Sequence, residues 1–377
     1  MTCVLVVDDS QFMRTVVGNA LTDAGYEVET ASNGVEAIEA VEAYDPDVVT
    51  MDVKMPNMGG IDAVERIMST HPTAILMLSA YTERGTEATL DALERGAIDF
   101  LHKPDGSGSR NIAHLADEVV EKVDELSRAN VSSLALARAS AAVHSTGPNR
   151  IKRPVSAGHT SHEEQSAPAM DPVTADEESR AEPTVVVGAS TGGPKIVERL
   201  FSRLPVELGA TAIIVQHMPA DFTARFADRL NTISEYEVRE ARDGDRMRSG
   251  EALVAPGGYH LEVRNCVGGT LRVGLDDGPR IHGVKPAIDV TMKSAADRVS
   301  GSLCGVVLSG MGCDGAAGIE AISDAGGWTI AQDERTSPVF GIPKQAIETG
   351  RIDEVIPAPE IADRIVTAFS TDGENDD

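Results

Sequence analysis

The chain is short of positive charge. Its 33 Lys and Arg stand against 60 Asp and Glu, for a net charge of −27 and a pI near 4.6. Such a surface repels nucleic acid and anionic lipid, which excludes both as partners. Lysine is the scarcer of the two basic residues. An acid-rich, lysine-poor surface suits concentrated salt, where screening removes self-repulsion; an ordinary acidic cytosolic protein fits equally well. Apolar runs of the roughly 18 residues that a membrane-spanning helix needs are also missing. No basic, then apolar leader precedes the first strand-like run, Cys3–Val7, so the expectation is a cytoplasmic protein without membrane insertion. The four cysteines (Cys3, Cys266, Cys304 and Cys313) form no C-x-x-C pair, and reduced thiols are expected.

What is present is α/β alternation, twice over. At 377 residues there is room for two domains. Over 1–125, strands are predicted at Cys3–Val7, Glu27–Ala31, Val48–Met51, Ala74–Leu78 and Asp99–Leu101, with helices near Ser10–Ala24, Asn33–Tyr44, Gly60–Thr70, Thr86–Arg95 and His114–Leu126. Repeated βα units imply a parallel sheet covered on both faces. Residues 126–183 break the pattern, being rich in Ser, Ala, Pro, Glu and His. They read as a flexible linker, although Val131–Val143 could extend a helix. As a coil this span reaches on the order of 40 Å, enough for the flanking domains to dock or separate. Alternation resumes over 184–371, with strands expected at Thr184–Gly188, Thr211–Gln216, Glu251–Ala255, Tyr259–Val263, Thr270–Leu275, Leu303–Leu308 and Trp328–Ala331, those in Glu251–Leu275 forming a hairpin insertion. The acidic residues 372–377 read as a disordered tail, and there is no internal repeat.

In the first domain Asp8 and Asp9 follow the first strand, Asp52 the third, Ser79 the fourth and Lys103 the fifth. A parallel sheet gathers all of these at its carboxyl edge, where ligand sites form. Three carboxylates there require a neutralising cation, and an open oxygen site suits Mg²⁺, which keeps waters and takes a phosphate oxygen. Asp52 can then attack phosphorus as a carboxylate nucleophile. Lys103 brings a positive charge and Ser79 a hydroxyl to the phosphoryl oxygens. With VVDDS, VTMDVKMPNMGG, LSA and HKP in order, this region resembles the response-regulator receiver domain, a flavodoxin-like fold. The resemblance implies phosphorylation of Asp52 by a histidine kinase, Mg²⁺ held by Asp9, Asp52 and the backbone carbonyl of Lys54, and switch positions at Ser79 and Phe100. Lys54 departs from the family, where an uncharged or acidic side chain is common; the carbonyl ligand survives, but dephosphorylation is expected to differ.

In the second domain VVVGASTGGP places Ser190 between a buried-type strand and a helix opened by Pro194. G-A-S-T-G matches the G-x-S-x-G elbow, in which small neighbours let a serine occupy a tight turn. The following helix N-terminus favours a developing oxyanion. Gly-rich strand-to-helix turns also bind phosphates, but no G-K-S/T follows. His217 ends the run TAIIVQHMP and Asp314 lies in SGMGCDGAAG, each just past a strand, so all three side-chain types of a hydrolytic triad can meet at one sheet edge. The order Ser, His, Asp differs from that of α/β-hydrolases, chymotrypsin and subtilisin. His260 and His282 are rival bases without strand-end placement. Cys313 is a rival nucleophile with no nearby base in the sequence.

At GASTGGP, QHMP, SGMGCDGAAG and AQDERTSPVFGIPKQAI the chain is similar to chemotaxis-specific protein-glutamate methylesterases. That resemblance implies Ser190 as nucleophile, His217 as general base and then acid, and Asp314 as its orienter. The backbone N–H of Met311 is implied in the oxyanion hole, and Thr191 assists beside the nucleophile. It further implies cytoplasmic hydrolysis of glutamate methyl esters on methyl-accepting chemoreceptors, deamidation of receptor glutamines, a chemotaxis histidine kinase as phosphodonor, and no cofactor for ester hydrolysis. The expected architecture is a flavodoxin-like receiver followed by a doubly wound parallel-sheet hydrolase. The linker is longer than is usual in the family, which weakens the expectation of tight docking. A receiver-controlled hydrolase of small esters and a binding module with a spent triad are the competing readings.

Overall fold

Short runs of Val, Ile and Leu closed by acidic or glycine-rich turns build two fully parallel sheets. The computed structural model describes residues 2–80, 83–103, 109–129 and 182–371. In the first sheet β1 (Cys3–Val7), β2 (Glu27–Ala31), β3 (Val48–Asp52), β4 (Ala74–Ala80) and β5 (Asp99–Lys103) lie in the order β2-β1-β3-β4-β5. Helices α1 (Gln11–Asp23), α2 (Gly34–Tyr44), α3 (Gly60–Thr70), α4 (Glu83–Arg95) and α5 (Ser109–Leu126) connect and flank them. Side chains cap two of the helix starts. Ser10 Oγ accepts from Met13 N, and Asn33 Oδ1 accepts from Val35 N and Glu36 N.

The second unit holds β6 (Thr184–Ala189), α6 (Gly193–Arg203), β7 (Thr211–Gln216), α7 (Ala220–Ile233), β8 (Glu237–Glu240), β9 (Arg246–Met247), β10 (Glu251–Val254), β11 (His260–Val267), β12 (Thr270–Asp276), α8 (Ile288–Arg298), β13 (Leu303–Val307), α9 (Ala316–Asp324), β14 (Trp328–Gln332), α10 (Ile342–Glu348), β15 (Glu354–Ile356) and α11 (Ile361–Thr371). Its main sheet runs β15-β14-β13-β6-β7-β10-β8, all parallel. The chain leaves β6 toward β7 and returns to β13 on the other side. The topological switch point, where doubly wound sheets open a crevice, therefore lies between β6 and β13.

The expected strands and helices are present with ends shifted by a few residues, but the hairpin needs correction. Glu251–Val254 pairs in parallel with β7 and β8 inside the main sheet. The antiparallel hairpin is β11 with β12, and β9 adds a third strand. The linker expected over 126–183 and the tail over 372–377 fall almost wholly outside the described residues, as does the helical extension expected at 131–143.

The two units pack together. Phe100 of β5 stacks on Phe222 of α7, with ring centroids 4.1 Å apart and planes at 29°. Arg229 of α7 reaches Glu94 and Asp91 of α4 at 2.6 and 3.4 Å, as well as Glu198 of α6. The docking that linker length made doubtful is thus formed.

One glycine fixes the carboxyl edge of the first sheet. A Cβ on Gly60 would lie 1.9 Å from the backbone oxygen of Asp52, so α3 starts directly against the end of β3. Neither backbone segment can yield without moving Asp52. Gly60→Ala should destabilise the first unit by about 3 kcal/mol or more, the upper range for overpacking. Urea unfolding of the full chain should show its earliest transition moved to lower denaturant; an unchanged transition would contradict the close approach.

Candidate functional site

At the carboxyl edge of the first sheet, Asp8, Asp9 and Asp52 bring carboxylate oxygens within 4.8 Å of one another. Asp8 and Asp52 are buried and Asp9 is exposed, so the trio opens to solvent on one side. Lys103 Nζ donates to Asp8 Oδ2 at 2.6 Å and to Asp52 Oδ1 at 2.5 Å. An all-oxygen set with an open face fits a hard divalent cation such as Mg²⁺. Lys54 follows two residues after Asp52 with its side chain exposed, and Ser79 is buried at the end of β4. Burial raises the Asp52 carboxyl above its ordinary value; Lys103 opposes that, and the charges of Asp8 and Asp9 add to it. Burial likewise works against the charged Lys103 ammonium, but Asp52 and Asp8 outweigh it and raise the group.

In the second unit β13, β6 and β7 are neighbours, and their ends converge. Ala189 pairs with Gln216, which puts Ser190 and His217 side by side on adjoining strand ends. His217 N donates to Ala189 O, and Ser190 N donates to Ser309 O, each at 3.0 Å. Ser190 sits in a built turn. Gln216 Nε2 donates to its carbonyl at 2.9 Å. Gly192 holds a φ of 75° just before α6, a conformation that favours glycine. Gly310 lies so close that a Cβ there would come within 2.7 Å of Ser190 Cβ, which puts the following Met311 beside the Ser190 turn. Ser309 Oγ donates to Thr191 O at 2.8 Å and accepts from Val339 N at 3.0 Å. Sequence reasoning missed Gln216, Ser309 and Gly310. Their position at strand ends, next to residues already singled out, was the available signal.

His217 Nε2 lies 2.9 Å from Asp314 Oδ2. Asp314 is 2% exposed and also accepts from Ile288 N at 2.7 Å and Asp289 N at 3.0 Å. Burial alone would raise its carboxyl. The hydrogen bond and charge of His217, with the two backbone N–H donors, outweigh burial and hold it below the ordinary aspartate value. The carboxylate is held in place against the imidazole through Nε2, which leaves Nδ1 of His217 on the far side of the ring.

Of the rivals, His260 is structural: Nε2 bonds Pro279 O and Nδ1 accepts from Ala287 N. His282 has its own carboxylate, Asp289, at 3.0 Å. Cys313 does have a neighbouring base after all, since its Sγ lies 3.5 Å from His282 Nδ1. His282, Asp289 and Asp314 also bring ligand-type atoms within 4.8 Å. Both carboxylates already accept backbone N–H groups and an imidazole, an arrangement complete without a metal.

The first unit grips the turn next to Ser190. Thr191 Oγ1 donates to Asp99 Oδ2 at 2.8 Å and accepts from Lys122 Nζ at 2.9 Å. Gly192 N donates to Ile98 O at 3.1 Å. Lys122 of α5 is itself paired with Asp99 and Glu125, both at 2.9 Å. Burial disfavours its charge, but the two carboxylates overcome this and raise it far above the usual lysine value. The hydroxyl expected to assist the nucleophile is therefore engaged by the neighbouring unit.

The Asp52 environment sets a pH dependence. A carboxyl raised by folding leaves stability intact below the ordinary aspartate range. The folded state is penalised as pH rises toward the raised value, and the penalty stays constant above it. In chelator, Asp52→Asn should therefore unfold at a higher temperature than the parent chain at pH 7, with the difference shrinking toward pH 3. Melting curves at the two pH values check this, and a variant less stable at pH 7 would reverse the sign.

Comparison with known proteins places this geometry. A family model described as "CheB methylesterase" matches residues 185–365, and one described as "Response regulator receiver domain" matches residues 4–110. The chain is 46% identical to a protein-glutamate methylesterase/protein-glutamine glutaminase of Halobacterium salinarum, covering 98% of this chain and 99% of that one. It is 48% identical to a protein of the same description from Natronomonas pharaonis, covering 96% of each. The crystal structure of the CheB methylesterase catalytic domain of Thermotoga maritima is 39% identical, covers 49% of this chain and 97% of that one, and has a TM-score of 0.47. The chain belongs to the CheB methylesterase family, with a response-regulator receiver domain ahead of its catalytic domain.

Proposed function

We propose that this protein hydrolyses methyl esters on glutamate side chains of methyl-accepting chemoreceptors, releasing methanol, and deamidates receptor glutamines to glutamate. It works in the cytoplasm and is switched on by phosphorylation of Asp52. The observation that carries this reading is the meeting of Ser190, His217 and buried Asp314 at one sheet edge, in a chain nearly half identical along its length to proteins of that description.

In the proposed mechanism Ser190 Oγ attacks the ester carbonyl while its proton passes to the free nitrogen of His217. Asp314 fixes the imidazole and stabilises the imidazolium. The Met311 N–H and the start of α6 face the developing oxyanion. Collapse expels methanol, or ammonia from an amide, with the proton returned from His217. Water then hydrolyses the acyl-Ser190 by the same relay. Thr191 assists once its hydroxyl is released from Asp99 and Lys122. Methanol release from methylated receptor membranes tests this reading against a hydrolase of small esters.

Control follows from the same contacts. A chemotaxis histidine kinase is the proposed phosphodonor. Asp8, Asp9, Asp52 and the carbonyl of Lys54 would hold Mg²⁺, which would supply positive charge to offset that of an incoming phosphoryl group. Lys103 and Ser79 then turn to the phosphoryl oxygens. Moving Lys103 pulls on β5, which also carries Phe100 and Asp99, the residues that stack on Phe222 and hold Thr191. The docked receiver loosens and the nucleophile turn opens.

Two results are expected. Ser190→Ala should lower turnover by several orders of magnitude with Asp52 phosphorylation intact, and adding His217→Ala should cost scarcely more, because residues acting as one unit are non-additive. Additive losses in the double variant would contradict a shared triad. A fragment starting near Glu182 should demethylate receptors faster than the unphosphorylated full chain, and Asp52→Asn should stay at the basal rate when phosphodonor and Mg²⁺ are added. Equal rates of fragment and full chain would mean that the receiver does not mask the site.

A further inference from the structure

Against the loop between β13 and α9 a second nucleophile, base and carboxylate come together: Cys313 from the loop, His282 from the turn before α8, and Asp289 from the first turn of α8. Cys313 is exposed, and its Sγ lies 3.5 Å from His282 Nδ1. On the other side of the ring, His282 Nε2 lies 3.0 Å from Asp289 Oδ2. Asp289 is 2% exposed, and its Oδ1 accepts from Gly315 N and Gly318 N. These bonds fix the carboxylate, and the carboxylate fixes the ring. His282 adopts a φ of 52° in a turn closed by reciprocal backbone bonds between Ile281 and Val284. That backbone is uncommon for a non-glycine residue, and here it delivers the imidazole to the thiol. With Nε2–H donated to Asp289, Nδ1 is left as a proton acceptor facing sulfur.

The other thiols have different surroundings. Cys304 is fully buried, and burial raises its thiol far above the ordinary value. Cys3 is raised by burial and by the charges of Glu27, Asp47 and Glu29. Cys266 is partly covered. Among the described cysteines, Cys313 is the one both open to solvent and set against an oriented imidazole.

We propose that Cys313 is a thiol-modification site, served by His282 and Asp289, at which hydroperoxides and soft carbon electrophiles react. With a hydroperoxide the thiol proton passes to His282 Nδ1 and sulfur attacks a peroxide oxygen. The S–O bond forms as the O–O bond breaks, and the departing oxygen takes the proton from His282. The products are a sulfenic acid and water or an alcohol; sulfur is oxidised and the peroxide reduced. With an alkylating agent the thiol proton passes to His282 Nδ1, the S–C bond forms as the carbon–halogen bond breaks, and halide leaves. The site lies on the loop that holds Gly310 against Ser190 and supplies Asp314, so an adduct stands at the rim of the candidate active site. The exposed Met311 is two residues away.

The test uses the intact full chain and iodoacetamide, with the labelling rate of each cysteine followed by peptide mass spectrometry. Exposure alone cannot make a native thiol faster than the same thiol in the urea-unfolded chain. Native Cys313 should nevertheless be about tenfold faster than its unfolded counterpart, because a neighbouring base activates it. His282→Gln should remove that excess, leave Cys3 and Cys266 at their parental rates and keep the melting temperature; imidazole added to His282→Ala should restore part of it. In the parent chain, hydrogen peroxide followed by a sulfenic-acid trap should mark Cys313 before the other cysteines. A native rate at or below the unfolded rate, or one that His282→Gln leaves unchanged, would overturn the proposal. Neither readout depends on ester hydrolysis, so failure here is separable from failure of the methylesterase reading.

Discussion

Two helices of the catalytic domain exchange carboxylates at their N-termini, and the geometry of the site rests on that exchange. Helix α8 begins at Ile288 and α9 at Ala316, and neither is capped by the side chain of its own N-cap residue. Asp314, just before α9, instead accepts Ile288 N and Asp289 N at the start of α8. Asp289, in the first turn of α8, accepts Gly315 N and Gly318 N at the start of α9. Each carboxylate meets donors that would otherwise be orphaned, with the helix dipole favouring its charge. Such caps are worth about 0.5–2 kcal/mol each. Their larger consequence is orientation. Oδ1 of Asp314 accepts from Asp289 N and Oδ2 from Ile288 N, and the Oδ2 so anchored also meets His217 Nε2; Oδ1 of Asp289 is spent on α9, so Oδ2 meets His282. One structural device therefore aims two imidazoles.

The docking surface is mixed in character, which suits a contact that must both form and release. Its apolar part is the Phe100–Phe222 stack, worth about 0.5–1.5 kcal/mol beyond area burial. Its polar part includes Thr191 between Asp99 and Lys122, Gly192 N on Ile98 O, Lys195 on Glu94 O, and Arg229 among Asp91, Glu94 and Glu198. The Arg229 pairs have exposed carboxylates on the receiver side, so each adds little net stability and is screened by salt. Such a surface defines one docked geometry without making it permanent. It also bears on the lysine-poor composition, since Lys103 and Lys122 are among the few lysines and each is held by two carboxylates.

Much of this was legible in the sequence because parallel strands impose a simple rule. An apolar run followed at once by Asp, Ser, His or Lys puts that side chain at the carboxyl edge, which located Asp8, Asp52, Ser79, Lys103, Ser190 and His217. Features set by long-range packing were not legible. The strand Glu237–Glu240 is charged at three of its four positions, because it is the sheet's edge. Glu251–Val254 looked like part of a hairpin because the hairpin follows closely in the chain, and only its parallel pairing with β7 assigns it to the main sheet. His282 and Asp289 lie seven residues apart with no periodic signal; a tight turn and a helix start bring them together. Thr191 was expected beside the nucleophile, but nothing local in the sequence could show that Asp99 and Lys122 hold it.

Strand β5 links the two candidate sites within one short element. Lys103 at its carboxyl end bonds Asp52 and Asp8. Phe100, three residues earlier, stacks on Phe222, and Asp99 at its start bonds Thr191 beside Ser190. At roughly 3.3 Å per residue, the span from Lys103 to Asp99 is about 13 Å. Under the proposed control, a phosphoryl group on Asp52 would compete with the Asp8 carboxylate for Lys103, so the salt bridges that hold the end of β5 would be the first contacts altered. The same strand meets the catalytic domain at Phe100 and Asp99, so under that proposal the change need not cross the receiver core to reach the turn at Ser190. Coupling through so short an element also leaves the acidic edge open through exposed Asp9 while the turn at Thr191 is held. Under the proposed control, the docked state can therefore be phosphorylated without first undocking.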